Sequence, residues 1–411
     1  MNAAGIDVSK GKSTVAVMRP LGEVVRTPFE VRHTSEELGK LAKFLTDLDG
    51  ETRVVMENTG SYYMPVVRVL CEAGLFVSVI HPKLIHTFSN DTIRKGKTDK
   101  KDAIKIANYC LDKWNKLHPC MPEDDTRQLL KAIRRQYGKY VDLRTVLKNN
   151  LIALTDRAFP GINSVFTSPP RVSDGHEKWV DFLADFWHCE CISGMTEKKF
   201  INTYKKWCDK RGYNFSERKA SDVYVESLGH VSVLPKCYTT KMLIGNAITQ
   251  LNAIAETISA VANEMIMLAR ALPEWEIVRS MNGVGDILAA HLIAEIGDVT
   301  RFDNKGSLVA FAGLEPPPYQ SGQFDSKRRH ISKQGSPHLR KTLFQVMMAL
   351  IQRQPDDDVY RFLDQKRSEG KHYYVYMTAA SAKFLRVYYG KVKQALLSKI
   401  KTDEIVPNPA V

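Results

Sequence analysis

Hydrophobic positions along the chain switch from the period of strands to the period of helices, and each switch marks an element. Residues 3–20 predict a strand, a turn at Ser9-Lys10-Gly11-Lys12-Ser13 and a second strand at Thr14-Val15-Ala16-Val17-Met18. A third strand begins at Leu21-Gly22-Glu23-Val24-Val25, after a turn containing Pro20. Residues 34–49 open on the capping signal Thr34-Ser35-Glu36-Glu37 and place Leu38, Leu41, Phe44, Leu45 and Leu48 at helical spacing. Arg53-Val54-Val55-Met56-Glu57 reads as a buried strand, Tyr62 to Ala73 as a helix and Phe76-Val77-Ser78-Val79-Ile80 as the next strand. A basic loop with Arg94, Lys95 and Lys97 then leads to a helix from about Thr98 to Leu117.

Beyond that point the period is helical. Residues 126–155 predict one long helix, with Leu130, Ile133, Tyr137, Tyr140, Leu147, Leu151 and Leu154 on one stripe. Residues 241–272 predict another, with Ala247, Leu251, Ile254, Ile258, Val261, Met265, Leu268 and Leu272 in a heptad seam. Such a seam predicts antiparallel coiled-coil helices, paired within the chain, across subunits, or both. Between them, residues 156–240 are broken at Pro160-Gly161, Pro169-Pro170 and Ser173-Asp174-Gly175 and are rich in aromatics. Lysines interleave with those aromatics, as in a base-stacking surface. The helix-core spacing of Trp179, Phe182 and Phe186 favours a small helical insertion with an aromatic core instead. Helices are expected at 337–353 and 374–399, with a frayed tail at Ile405-Val406-Pro407-Asn408-Pro409. The domains are then 1–125, 126–273 with its insertion, 274–400 and a tail from 401 to 411.

A chain of 411 residues accommodates two or three domains, and 44% hydrophobic residues supply their cores. The net charge of +13 points to a polyanionic partner, nucleic acid first. Met1-Asn2-Ala3-Ala4 leads straight into the first strand, so no signal peptide is expected, and no apolar run approaches a membrane span. Seven scattered cysteines fit reduced thiols in the cytoplasm. His188-Cys189-Glu190-Cys191 looks like half a zinc site but has no second half at ligand spacing.

Three strands, helix, strand, helix, strand, helix is the layout of an RNase H-like α/β fold. In that layout Asp7 and Glu57 end neighbouring central strands, and Asp99 and Asp102 share one face of the closing helix. A carboxylate at the end of an apolar strand is unfavourable unless it is paired. Four of them together form a set of hard oxygen donors for Mg²⁺ and a substrate phosphate. Two such ions clamp the attacking and leaving oxygens of a displacement at phosphorus. The first expectation is therefore a metal-dependent nuclease or strand-transfer enzyme.

Two later stretches add to this. Ser280-Met281-Asn282-Gly283-Val284-Gly285-Asp286 resembles a helix-hairpin-helix turn, in which amides at Gly283 and Gly285 hold a phosphate without reading sequence. Phe311-Ala312-Gly313-Leu314-Glu315-Pro316-Pro317-Pro318-Tyr319-Gln320-Ser321-Gly322 reads as a loop presenting a hydroxyl. A basic group follows it: Lys327, Arg328, Arg329, His330, Lys333, His338, Arg340 and Lys341. An alcohol nucleophile needs activation, and from the pattern alone a turn serine is the commoner reading.

Together these stretches resemble the DEDD transposases of bacterial insertion sequences, whose relatives include the Piv-type DNA invertases. The resemblance rests on Gly5-Ile6-Asp7-Val8-Ser9-Lys10, Met56-Glu57-Asn58-Thr59-Gly60-Ser61-Tyr62 and Lys97-Thr98-Asp99-Lys100-Lys101-Asp102-Ala103 at one end. At the other it rests on Gly283-Val284-Gly285, Phe311-Ala312-Gly313-Leu314, Tyr319-Gln320-Ser321-Gly322 and Ser332-Lys333-Gln334-Gly335. It implies that Asp7, Glu57, Asp99 and Asp102 bind Mg²⁺, as two ions, in a RuvC-like domain. It implies that Ser321 attacks DNA and forms a phosphoserine link. It further implies a dimer or tetramer with composite sites, and a structured guide ("bridge") RNA pairing with donor and target DNA. The insertion at 156–240 is long for this family. The alternatives are a RuvC-like junction nuclease that uses water, and a site-specific invertase of the same family. A sugar-kinase-like ATPase also opens with Gly-Ile-Asp-x-Ser, but a second phosphate loop is missing: Gly96-Lys97-Thr98 would need a glycine where Asp91 stands.

Overall fold

The computed structural model describes residues 1–58, 60–88, 98–121, 124–317, 320–321, 324–325 and 330–405. The chain divides into two compact units, Met1–Asp124 and Asp125–Val411.

The first unit contains β1 (Asn2–Ser9), β2 (Lys12–Met18), β3 (Val24–Arg32), α1 (Ser35–Thr46), β4 (Thr52–Glu57), α2 (Met64–Glu72), β5 (Phe76–Ile80), α3 (Pro82–Phe88) and α4 (Asp99–Asp112). The sheet order is β3-β2-β1-β4-β5. β1 runs antiparallel to β2 and parallel to β4, and β4 is parallel to β5. This is the RNase H-like order: an antiparallel meander followed by two parallel crossovers. Ala4, Ile6, Val54 and Met56 face Leu38, Leu41 and Leu45 of α1 and Val66 and Leu70 of α2. Ala3, Val55 and Ile80 face Ile106, Tyr109 and Cys110 of α4 on the other side. Helices on both faces explain why β1 and β4 are apolar runs without alternation. The third strand starts at Val24, later than its sequence predicts, because Pro20–Gly22 forms a single helical turn with Leu21 at φ 65°. Helix α3 is an addition to the predicted layout; Pro82 at its first position has the φ a helix start needs. The closing helix is shorter than predicted and ends at Asp112, with a separate turn at Trp114–Lys116.

The second unit opens with α5 (Asp125–Ala158). The insertion supplies α6 (Ile162–Val165), α7 (Lys178–Asp185), α8 (Glu197–Arg211) and α9 (Glu217–Gly229) before α10 (Tyr238–Arg270). Then come α11 (Trp275–Arg279), α12 (Asp286–Ile296), α13 (Lys305–Phe311), β6 (Gln320–Ser321), β7 (Phe324–Asp325), α14 (Pro337–Arg353), α15 (Asp358–Ser368) and α16 (Tyr373–Ile405). α5 and α10 pack on each other. Leu130 shares a core with Met265 and Ala269, while Leu151 shares one with Ile244 and Leu251, so the pair is antiparallel. Within the chain the buried stripe of α10 includes Ile244, Ala247, Leu251, Ile254, Ala255, Ile258, Ala262, Met265 and Ala269. Its members keep seven-residue steps, Ile244-Leu251-Ile258-Met265 in one row and Ile248-Ala255-Ala262-Ala269 in the next. Val261 and Leu268 of the predicted seam are only half buried, and their places are taken by Ala262 and Ala269.

The aromatics of the insertion are core. Phe182 stacks on Phe186 with centroids 4.7 Å apart, and Tyr204 stacks on Trp207 at 5.7 Å. His188 is buried and both its nitrogens serve the backbone, Nε2 at 3.0 Å from the Leu234 carbonyl and Nδ1 accepting from the Glu190 amide, which disposes of a zinc role.

A buried ion pair joins the start of α5 to the residue before α11: Arg127 donates twice to Glu274, whose side chain is 2% exposed. Breaking one side of such a pair strands the other charge. Glu274→Gln is expected to destabilise the second unit by about 3–5 kcal/mol in denaturant unfolding, and the double change Arg127→Met with Glu274→Leu to recover most of that loss.

Candidate functional site

Each predicted carboxylate reaches its place through backbone register. β1 and β4 pair in parallel up to Ile6 opposite Met56, so Asp7 and Glu57 follow side by side at the ends of their strands. In a strand alternate residues share a face. Gly5 and Asp7 therefore face the same way, as do Val55 and Glu57, and Val55 belongs to the core under α4. Thr98 starts α4, its hydroxyl accepting from the Lys101 amide, and puts Asp99 and Asp102 in the first turn, where the helix dipole favours acids.

The depth of α4 is set by Gly5. A Cβ at Gly5 would lie 2.2 Å from both the Ala103 carbonyl and the Ala107 amide. The helix backbone thus rests directly on the strand, and Ala103 is the residue after Asp102. This seat sets the height of the helix start that carries Asp99 and Asp102. Asp102 is paired with Lys105 at 3.1 Å. Asp99 helps raise the pKa of Lys12, behind the larger effects of the Glu30 hydrogen bond and charge. Among the described residues no three His, Cys, Asp or Glu side chains converge as a metal shell would require. The donor chemistry fits a hard divalent cation, and closing the shell needs the acid side chains, including Asp102 from Lys105, to turn inward.

Ser321 lies in the second unit, on the two-residue strand β6, opposite Phe324 of β7. The stretch carrying it leaves and returns at a pinned base. The Ser336 amide donates to Phe311 at 3.0 Å, Lys333 to Gly313 at 3.1 Å and Ser332 to Glu315 at 2.9 Å. Gly313 has φ 66°, and a Cβ on it would lie 2.8 Å from Arg340 Nη1; one on Gly335 would lie 2.3 Å from the Phe311 carbonyl. Arg340 Nη1 itself donates to the Ala312 and Gly335 carbonyls at 2.9 and 3.2 Å, so the guanidinium expected on nucleic acid braces the loop base.

Of the other predicted contacts, Arg94, Lys95, Lys97, Lys327, Arg328 and Arg329 lie outside the described residues. His330 and Lys333 are exposed beside the clamp. Gly283 has φ 78°, and its missing Cβ makes room for Leu350 and for the Val346 carbonyl at 3.0 Å, so packing on α14 accounts for this glycine. Gly285 opens α12 with space around it, and Asp286 there is paired with Arg279 and with Arg270.

The sequence reading missed a polar network beneath the clamp. Glu295, 1% exposed, accepts two hydrogen bonds from Arg135 at 2.9 and 3.1 Å and one from Ser336 at 2.9 Å. One turn earlier on α12 sits His291, with neither ring nitrogen partnered. Burial, then the charges of Arg134 and Lys341, push its pKa down to about 3. The signal was in the sequence: a His and a Glu four apart inside the otherwise apolar Ile287-Leu288-Ala289-Ala290-His291-Leu292-Ile293-Ala294-Glu295-Ile296.

Comparison with known proteins covers both units. Residues 4–160 match the DEDD transposase model of the IS110 type, and residues 275–361 match the IS116/IS110/IS902 transposase family. A 44.8 kDa protein of insertion element IS116 from Streptomyces clavuligerus is 25% identical over 371 residues, 89% of this chain and 88% of the relative. The pilin gene-inverting protein of Moraxella bovis is 26% identical over 348 residues, 83% of this chain and 80% of the relative. Among solved structures, Thermus thermophilus RuvC with a Holliday junction aligns over 29% of this chain and 99% of its own at 15% identity and a TM-score of 0.24. That likeness is too slight to carry weight, and the fold assignment rests on the strand order.

Gly5→Ala is expected to lower the melting temperature, through about 1–3 kcal/mol of overpacking, and to weaken Mn²⁺ binding measured by calorimetry. Gly39→Ala on α1, where nothing lies within 4 Å, is the neutral control. His291 makes a second prediction. Its folded pKa lies below its unfolded value, so the unfolded chain binds the extra proton between about pH 6.5 and 3. Stability is then full above pH 6.5 and falls as the pH drops through that window, by at most about 1.4 kcal/mol per unit. His291→Gln, followed by unfolding at a series of pH values, should flatten this part of the profile.

Proposed function

The chain belongs to the IS110-type DEDD transposase family and is a DNA transposase, and on that premise we propose that it exchanges DNA strands through a covalent serine link supported by divalent metal. What supports this reading is the parallel register that sets Asp7 beside Glu57 at the strand ends, together with the seat on Gly5 of the helix whose first turn carries Asp99 and Asp102. These four residues would hold the metal, in our reading two Mg²⁺ ions. When bound, the metal polarises the scissile phosphate and lowers the pKa of a nearby hydroxyl.

The chain's own residues do the rest. Ser321 Oγ loses its proton and forms the bond to phosphorus, and the sugar oxygen leaves and is protonated. The phosphoester keeps the bond energy, so attack by another sugar hydroxyl rejoins a strand without ATP. The clamp at Gly313, Gly335 and Arg340 holds the strand carrying Ser321 against recoil. Lys327, Arg328, Arg329, His330 and Lys333 bind phosphates around the serine, Arg94, Lys95 and Lys97 do so beside the carboxylates, and the Gly285 turn holds a backbone. The charge of +13 suits two nucleic acids at once, DNA and a structured guide RNA. A dimer or tetramer, with coiled-coil contacts through the α5–α10 pair, would let the carboxylates of one subunit meet the serine of another. The pilin gene-inverting relative favours a second reading of the same chemistry, site-specific inversion.

The test is trapping on a denaturing gel with labelled DNA, Mg²⁺ and RNA from the flanks of the gene. A DNA–protein band is expected, absent in Ser321→Ala and in alanine variants of the four carboxylates, with RNA binding retained. Cleavage that survives Ser321→Ala with no such band would mean a water-using nuclease.

A further inference from the structure

Three helices of the second unit gather basic side chains around one buried acid. Arg134 and Arg135 come from α5, His291 from α12, and His338 and Lys341 from α14. The acid is Glu295, already engaged by Arg135 and Ser336. Arg134 is 4% exposed and makes no ion pair among the described residues. Its Nε is enclosed and has no partner. His291 is 5% exposed, and both of its nitrogens are enclosed and unpartnered under the edge of Tyr137, 5.3 Å away between centroids. Asp142, the other acid at hand, is 75% exposed and 3.8 Å from Lys341, a screened surface contact.

Burial outweighs the favourable charge of Glu295 on Arg134, an acid already engaged by Arg135 and Ser336, so the guanidinium is under-compensated, and a buried polar ring with two idle nitrogens adds to the cost. The fold tolerates this where a ligand supplies the missing charge. Positive charge predominates around it: the pKa of His338 is lowered by burial first and next by the charge of Arg135, against an opposing effect of Glu295. A phosphodiester matches the need, being a monoanion with several acceptor oxygens, and Arg and Lys are its usual partners. Lys341 is 60% exposed and marks the open side.

We propose that Arg134, Lys341 and His291 form a binding site for one backbone phosphate of a nucleic-acid strand, with Arg135 and His338 at its rim. Glu295 holds Arg135 in the rim and, through Ser336, ties the site to the base of the Ser321 loop. A strand held here is thereby registered against the loop. The proposal rests on the reading of the protein as a nucleic-acid enzyme but requires neither the serine chemistry nor the metal.

The experiment is fluorescence anisotropy of a labelled RNA hairpin and a labelled DNA duplex with the full chain, in EDTA, over a series of salt concentrations. Lys341→Gln and Arg134→Gln are compared with wild type and with Lys210→Gln, an exposed position of α8; circular dichroism checks that each is folded. Each site variant should weaken binding of at least one probe uniformly across sequences and reduce its log–log salt slope by about one, while Lys210→Gln leaves both unchanged. Lys341→Gln decides the matter should Arg134→Gln not fold. Unchanged affinity and slope for both probes would overturn the proposal. It is equally overturned if inorganic phosphate binds in a Lys341-dependent way while nucleic-acid binding does not depend on Lys341, since the site then serves a free anion. Because no cleavage is read, a failed trapping assay leaves this result standing, and failure here leaves the serine mechanism standing.

Discussion

The contact of α4 with the backbone of Gly5 is the constraint on which the first unit turns. A helix can lie that close to a strand only where the strand lacks a side chain and the helix offers small ones, here Ala103 and Ala107. The closeness fixes the height of the helix start above the sheet edge. It thereby decides whether Asp99 and Asp102 can share a ligand with Asp7 and Glu57. Apolar packing alone would leave the helix a side chain's width further out.

In the second unit a related problem has a different solution. The Ser321 strand belongs to a stretch rich in Gly and Pro. The base of that stretch is pinned by hydrogen bonds between the outgoing and returning chain, by Arg340 and by the Glu295–Ser336 bond. Buried charge does the anchoring: Glu274 with Arg127 and Glu295 with Arg135 tie α5 to the residues before α11 and to α12. The long helices therefore act as a frame for the loop as well as a core.

Much of the fold was legible because it depends on local pattern. Apart from α3, the strands and helices of residues 2–112 follow from apolar runs, helical spacing, caps and turns, and the strand order agrees with the predicted layout. The insertion was legible from the helical spacing of Trp179, Phe182 and Phe186. The seven-residue step of α10 was legible in Leu251, Ile258 and Met265, and only at Val261 and Leu268 does the structure bury the neighbouring Ala262 and Ala269 instead. Arg340 was read by its charge, yet its geometry serves backbone carbonyls.

The sequence by itself determined the identity of the chemical groups: four carboxylates at strand and helix ends, a serine in a turn, and a family pattern linking them. Residue type and order are enough for that, because each group is tied to a local element. Only the tertiary structure decided which groups are held and which are left in need. That Gly5 is a seat for a helix, that Gly283 is room for Leu350, and that Arg134 Nε and both ring nitrogens of His291 are enclosed without a hydrogen-bond partner all depend on elements far apart in the chain. Burial and pairing are properties of neighbours in space, and a single sequence does not state who those neighbours are.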